Sequence, residues 1–225
     1  KYFKEKTLPS YLALMDASTI FQENKLAGNI KIAASKTISN YIMPNIYYDF
    51  LSKYKDVKLD ILTINSSSII DKILKNELDI GLIEVDTQNS SLIKEKLADD
   101  ELIVVSSDEK HPSIAFIDAI KKRWILREIG SGTREIFMSK IGEISKELDI
   151  FMQLQDFEEI KTIVLNNKNT VTVLSKVIVK KELKQKKLFE IKLKNIEFKR
   201  EFYLVYHKDK TKNLLFETFI EFIKN

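Results

Sequence analysis

A chain of 225 residues and 26.2 kDa can hold one large domain or two small ones, and 44% hydrophobic residues with 13 Phe and 8 Tyr supply a real core. The absence of cysteine excludes disulfides, thiolate metal sites and a Cys nucleophile, and no run of eighteen apolar residues offers a transmembrane helix. A net charge of +4 is modest, and the basic segment Lys176 to Arg200 interleaves Glu182, Glu190 and Glu197, which marks solvated faces rather than a nucleic-acid groove.

Residues 1–27 read as an amphipathic helix, with Pro9 suited to a first turn and Leu12, Met15 and Thr19 on one side; Gly28–Asn29 ends it. Strands and helices then alternate. Ile30–Ala34 is a strand that leads through Ser35–Lys36–Thr37 into a helix with the stripe Ile38, Ile42, Ile46, Phe50 and Tyr54. Pro44 kinks that helix or marks its proper start. Val57–Ile64 is a second strand, and Asn65–Ser66–Ser67–Ser68 caps a helix with Ile70, Ile73 and Leu74 inward. Asp79–Ile83 is a short apolar strand of the kind buried in parallel sheets, and Leu102–Val105 another. This is a βαβαβ pattern, and the fold class is α/β.

His111–Pro112 marks a boundary, after which the pattern restarts with a helix over 113–122 and a strand over 124–128. Gly130–Ser131–Gly132–Thr133 then opens a helix to about Leu148, with the stripe Phe137, Ile141, Ile144 and Leu148. Phe151–Leu154, Val171–Leu174, Phe189–Leu193 and Glu201–Tyr206 read as extended, and Glu158–Leu165, Val177–Leu183 and Leu214–Ile223 as helical. Two similar α/β halves suggest two lobes around a cleft.

The stretch Leu126 to Glu135 is the most informative for function. Glycines let a ligand approach the backbone, a helix start offers unpaired N–H groups, and Ser131 and Thr133 add hydroxyl donors. Such a constellation suits an oxyanion, and equally an ordinary helix cap. It is not a nucleotide P-loop, because Gly-x-x-x-x-Gly-Lys-[Ser/Thr] is absent. The two histidines, His111 and His207, stand in no catalytic spacing, so no catalytic residues, metal ligands or cofactors are expected.

From Gly28 onward the chain resembles the effector-binding portion of LysR-type transcriptional regulators. The matching pieces are Gly28-x-Ile30-x-Ile32-Ala33-Ala34-Ser35-x-Thr37, Tyr41-Ile42-x-Pro44, Phe50-x-x-x-Tyr54 and Leu78-Asp79-Ile80-Gly81-Leu82-Ile83. They continue with Glu128-x-Gly130-Ser131-Gly132-Thr133-Arg134, Val171–Leu174 before Val179-x-x-Glu182-Leu183, and Arg200-x-Phe202-x-Leu204-Val205-Tyr206-His207-Lys208. The resemblance implies two Rossmann-like lobes of the type 2 periplasmic-binding-protein kind. It places lobe I at 28–106 plus 200–225 and lobe II at 107–199, with crossings near 106–112 and 195–200. Residues 1–27 become the remnant of a linker helix, and the winged helix-turn-helix that reads DNA lies outside this sequence.

Carried over by position, the resemblance places a ligand at Ser35, Lys36 and Thr37, at Asn65 and Ser66, and at Ser131, Gly132 and Thr133. Ser175, where the family often has proline, either joins them or caps a helix. Lys36 is the cation expected near the ligand, while Arg127 and Arg134 are expected to pair with neighbouring Glu. The Gly-Ser-Gly-Thr form is similar to the branch that responds to small anions, including sulfur oxyanions and carbon-fixation metabolites. The resemblance further implies a cytoplasmic homodimer, tetrameric in the full-length regulator, with no membrane partner. Met43, Tyr47 and Tyr48 are expected to face the second copy. The alternative is a periplasmic solute-binding protein of a transporter.

Overall fold

The computed structural model describes residues 26–109, 113, 114, 118, 120–193 and 196–224. Strand β1 (Ala27–Ala34) lies parallel to β2 (Asp56–Thr63) on one side and to β3 (Ile80–Ile83) on the other. Helices α1 (Lys36–Tyr41), α2 (Met43–Lys53) and α3 (Ser66–Leu74) form the connections. Pro44 sits in the first turn of α2, so the expected single helix is two, with the break at Ile42. That break turns the inward stripe of α2 to Met43, Tyr47 and Phe50, all buried. Met43 and Tyr47 therefore pack in their own core and do not face a partner; Tyr48, 73% exposed, stays on the surface.

The second half repeats the plan. Strand β6 (Arg123–Arg127) is parallel to β7 (Asp149–Leu154) and to β8 (Thr170–Ser175), with α4 (Gly132–Ile141), α5 (Phe157–Asn166) and α6 (Lys176–Lys184) packed around them. Helix α4 is shorter than expected. It stops at Ile141, where Gly142 takes φ +56°, and a 3-10 turn follows over Gly142–Glu147, leaving Ile144 on the surface.

Two long strands join the halves. Strand β4 (Leu92–Ser106) is much longer than the expected Leu102–Val105, and it runs antiparallel to β10 (Phe198–His207). Together they knit one path in the order β2-β1-β3-β10-β4-β8-β6-β7. Residues 94–101 of β4 are mostly charged and only partly buried, which hides a strand from hydropathy. Short strand β5 (Ser113–Ile114) pairs with β9 (Phe189–Leu193), so the start of the helix expected at 113–122 is extended instead. The helix expected over 1–27 and the His111–Pro112 boundary lie outside the described residues, except that Ala27 already belongs to β1.

Each lobe is a sheet covered on both faces. In lobe I, α2 and α7 (Leu214–Lys224) cover one face around Phe50, Phe216 and Phe219, and α3 covers the other with Ile69 and Ile73. In lobe II, α4 packs Phe137 on Trp124, while α5 and α6 pack Ile160, Val164 and Ile178 on the opposite face. Along β4 the core changes hands between Ala98 and Leu102, and along β10 between Phe198 and Phe202. At that level Phe202 pairs with Ala98 but Tyr203 with Lys96, which leaves Leu97 as an extra residue. Such a bulge bends its strand locally and suits a hinge.

Candidate functional site

The C-terminal ends of β1, β3 and β6 meet between the lobes, where open α/β sheets place their ligands. A buried polar cluster fills this position. Its centre is Glu84, the residue after β3, only 3% exposed. Glu84 Oε1 accepts from Ser35 Oγ at 2.6 Å; its Oε2 accepts from Arg200 Nη1 at 2.6 Å and Thr133 Oγ1 at 3.3 Å. Its backbone N–H donates to Ser66 Oγ at 3.3 Å. Arg200, on β10, also donates through Nε to Asp100 Oδ2 at 2.6 Å, and Ser175 Oγ donates to Asp100 Oδ1 at 2.7 Å. The cluster therefore ties lobe I, lobe II and both crossing strands.

Burial pushes the Glu84 carboxyl up, but Arg200, the Ser35 and Thr37 hydroxyls and the more distant Arg127 outweigh it and hold the group below the usual carboxylate range. Glu84 is thus an ionised carboxylate in a dry site. Arg200 Nη2, fully buried, remains there without a hydrogen-bond partner, and Thr37 Oγ1 is directed at Glu84 but makes no close hydrogen bond. Orphaned buried donors are uncommon and call for an explanation.

The expected site residues divide into those around Glu84 and those away from it. Ser35, Ser66 and Thr133 touch it directly, and Thr37 is buried in the same helix start. Gly132 lies against it, since a Cβ there would stand 2.8 Å from Glu84 Cβ. Ser131 is buried beside it in sequence, but its N–H already donates to the Glu128 carbonyl at 3.2 Å. Ser175 both reaches Asp100 and caps α6 through Val177 N. Asn65 caps α3 by accepting from Ser68 N at 3.0 Å, and it meets the Gly130 turn, where φ is +85° and an added Cβ would fall 2.6 Å from Ser67 Oγ.

Lys36 Nζ crosses to the Gln155 carbonyl at 2.6 Å, and the cation bonded to Glu84 is Arg200. Arg127 pairs with Glu128 as expected, at 2.8 and 3.0 Å, whereas Arg134 bonds the Arg127 carbonyl and Gln153 rather than a Glu. Tyr41 adds another bridge, its hydroxyl donating to Glu158 Oε1 at 3.0 Å. The Lys36 and Tyr41 bridges and the Glu84–Thr133 contact hold the lobes together.

Sequence reasoning missed Glu84, Asp100 and Arg200. A carboxylate directly after a fully apolar strand was a visible signal for Glu84, and Arg200 is one of only four arginines, Arg123, Arg127, Arg134 and Arg200. Cavities of about 620 Å³ and 680 Å³ flank Arg200, the first lined by Glu84, Val85, Asp86 and Ile136, the second by Asp99, Asp100, Lys176 and Val177. Among the described residues no group of three or more His, Asp or Glu is arranged to hold a metal, and no helix is long and apolar enough to cross a membrane.

Comparison with known proteins agrees with this architecture. The regulatory domain of CcmR from Synechocystis PCC6803, solved in complex with 2-PG, superposes with TM-score 0.75 at 21% identity over 88% of this chain and 96% of that one. A putative phosphate ABC transporter substrate-binding protein with bound phosphate from Clostridium perfringens superposes with TM-score 0.72 at 19% identity, over 87% and 93%. At these identities the likeness is one of fold, the two-lobed architecture of type 2 periplasmic binding proteins. In sequence the chain is 28% identical to the HTH-type transcriptional regulator CysL of Bacillus subtilis over 88% of its own length, and it spans 67% of that regulator. The family model for the LysR substrate binding domain matches residues 23–225, and the chain belongs to that family.

Proposed function

We propose that this domain senses a small oxyanion or compact carboxylate held in the interlobe cleft, and that binding sets the lobe angle of a LysR-type regulator and so its action on DNA. The observation that carries this reading is the donor set of Ser35 Oγ, Thr133 Oγ1 and Arg200 Nη1, which already encloses a carboxylate, that of Glu84. Groups that desolvate and neutralise one carboxylate can do the same for a free anion of similar size. Arg200 Nη2 is a further donor with nothing yet to bond, and Thr37 Oγ1, directed at Glu84, makes no close hydrogen bond. The 2-PG and phosphate of the structural relatives are consistent in class.

Because the donors come from both lobes and from a crossing strand, an anion seated among them favours one lobe arrangement. It shifts the balance only by its differential affinity for the two arrangements. The bulge at Leu97 supports this role, since it lies where β4 and β10 pass between lobes. In the regulator the proposed partner is a second copy, with Tyr48 on the contact surface, and DNA is reached through a winged helix-turn-helix outside these residues. The cytoplasm is the proposed location. The family match favours this reading over a transporter's solute-binding protein, which shares the fold.

Thermal unfolding against sulfite, sulfate, phosphate, acetate and citrate tests the proposal. An anion at a hundredfold its Kd stabilises by about 2.7 kcal/mol. For a unit of this size that is a rise of roughly 5–10 °C in Tm. One anion should produce the rise, and Thr133→Ala should abolish it. No rise with any of them would sink the anion reading.

A further inference from the structure

The carboxylate of Glu84 stands where the proposed effector has to bind. Its two oxygens take the Ser35 and Thr133 hydroxyls and Arg200 Nη1, and the side chain is shut off from solvent. In the immediate cluster, Glu84 and Asp100 face the single guanidinium of Arg200, so the charge there is already negative. A second anion beside Glu84 would set like charges in contact in a dry site, which strongly disfavours the charged forms. An anion can enter only by taking the place of Glu84.

The surroundings permit that exchange. Arg200 keeps Asp100 on Nε, and Asp100 keeps Ser175, so one anion replaces another without disturbing the rest of the cluster. The cavity of about 620 Å³ begins at Glu84 itself and offers the displaced side chain room; its wall carries Lys140 and Lys199 together with Asp86, Asp99, Glu135 and Glu201. The exchange also selects the ligand. A monocarboxylate offers the two oxygens that Glu84 already supplies, without the advantage of being tethered. An oxyanion with three or four oxygens can reach Arg200 Nη2 as well, the donor Glu84 leaves unused, and can bond Thr37 Oγ1 more closely than Glu84 does.

We infer that Glu84 is a built-in competitor of the effector: binding exchanges a free multi-oxygen anion for the Glu84 carboxylate at Ser35, Thr133 and Arg200. This rests on the anion reading of the cleft and adds its gate and its selectivity. Glu84 joins the lobes whenever the anion is elsewhere. Threshold and choice of ligand are then set by how well an oxyanion outbids a side chain already in place.

The test is calorimetric titration of sulfate and phosphate at constant ionic strength into wild type, Glu84→Gln, Glu84→Ala and Thr133→Ala, with acetate as the monocarboxylate. Losing a charge-assisted hydrogen bond shifts an equilibrium by roughly tenfold to a hundredfold. Glu84→Gln keeps the shape but presents a neutral group to Arg200, so it should bind the oxyanion at least about tenfold more tightly than wild type. Acetate should bind Glu84→Ala, filling the space of the lost carboxylate, and should not bind wild type. If Glu84→Ala does not fold, the glutamine variant decides. Binding that Thr133→Ala abolishes but Glu84→Gln leaves unchanged or weakens would overturn the exchange alone. Absence of oxyanion binding in both wild type and Glu84→Gln, or binding indifferent to Thr133→Ala, would overturn the cleft reading and the exchange together.

Discussion

Replacing Arg200 by Met removes the cation bonded to two buried carboxylates. The side chains of Arg200, Glu84 and Asp100 are 2%, 3% and 6% exposed, so water cannot step in. Breaking a buried ion pair from one side costs about 3–5 kcal/mol, because a charge is left without compensation. For a unit of this size each kcal/mol moves Tm by roughly 2–4 °C, so Arg200→Met should lower Tm by about 6–20 °C. The sharper signature is a change of sign. In the wild-type background Glu84→Gln should destabilise, since it takes a partner from Arg200. In the Arg200→Met background it should stabilise, since it removes a stranded charge, by about 1–3 kcal/mol. Urea unfolding of the four proteins closes the double-mutant cycle. An Arg200→Met variant within about 1 kcal/mol of wild type, or a Glu84→Gln change that destabilises both backgrounds alike, would refute the electrostatic account of the cluster.

Three further outcomes follow from the same geometry. Glu84 is held below its ordinary value of 4.5, so its contribution to stability is complete above that value and fades as pH falls through the folded-state value. Urea midpoints measured on acidification should therefore fall less steeply in Glu84→Gln than in wild type; equal slopes would contradict the shift. Gly132→Ala pushes a methyl to 2.8 Å from Glu84 Cβ and 3.1 Å from its Oε2, and should cost about 1–3 kcal/mol in chemical denaturation. A neutral effect would mean that Glu84 is not packed against this turn. Tyr48→Asp, at a position 73% exposed, should leave Tm nearly unchanged while weakening self-association in sedimentation, whereas Tyr47→Asp at 8% exposure should unfold the domain. A dimer indifferent to Tyr48→Asp would remove that surface from the interface.

The elements that sequence made legible are those with an unbroken period. Phe189–Leu193 and Val177–Leu183 fall on β9 and α6, and Asn65 and Ser175 cap the helices they precede. The elements that stayed hidden are polar. Residues 94–101 of β4 are mostly charged, with Lys96 pairing across to Glu201 at 2.7 Å, and their strand character comes from β10 rather than from their own hydropathy. Helix α2 misled in a different way, since Pro44 restarted it and moved the buried face by one position, to Met43 and Tyr47.

The site shows the same division. Hydroxyls and glycines at helix starts could be read locally, and Ser35, Ser66, Gly132 and Thr133 do converge. What they converge on could not, because Glu84 and Arg200 are 116 residues apart and meet only through β3 and β10. Lys36 illustrates the limit: the resemblance named it by position, and only the fold shows that its amine reaches a backbone carbonyl of the other lobe.

The most direct measurement is diffraction from crystals soaked in selenate, with the anion located by selenium anomalous scattering. The account predicts a peak within hydrogen-bonding distance of Ser35 Oγ, Thr133 Oγ1 and Arg200, with the Glu84 carboxylate turned out towards the neighbouring cavity. A peak elsewhere on the domain, or Glu84 still bonded to Arg200 in saturated crystals, would contradict it.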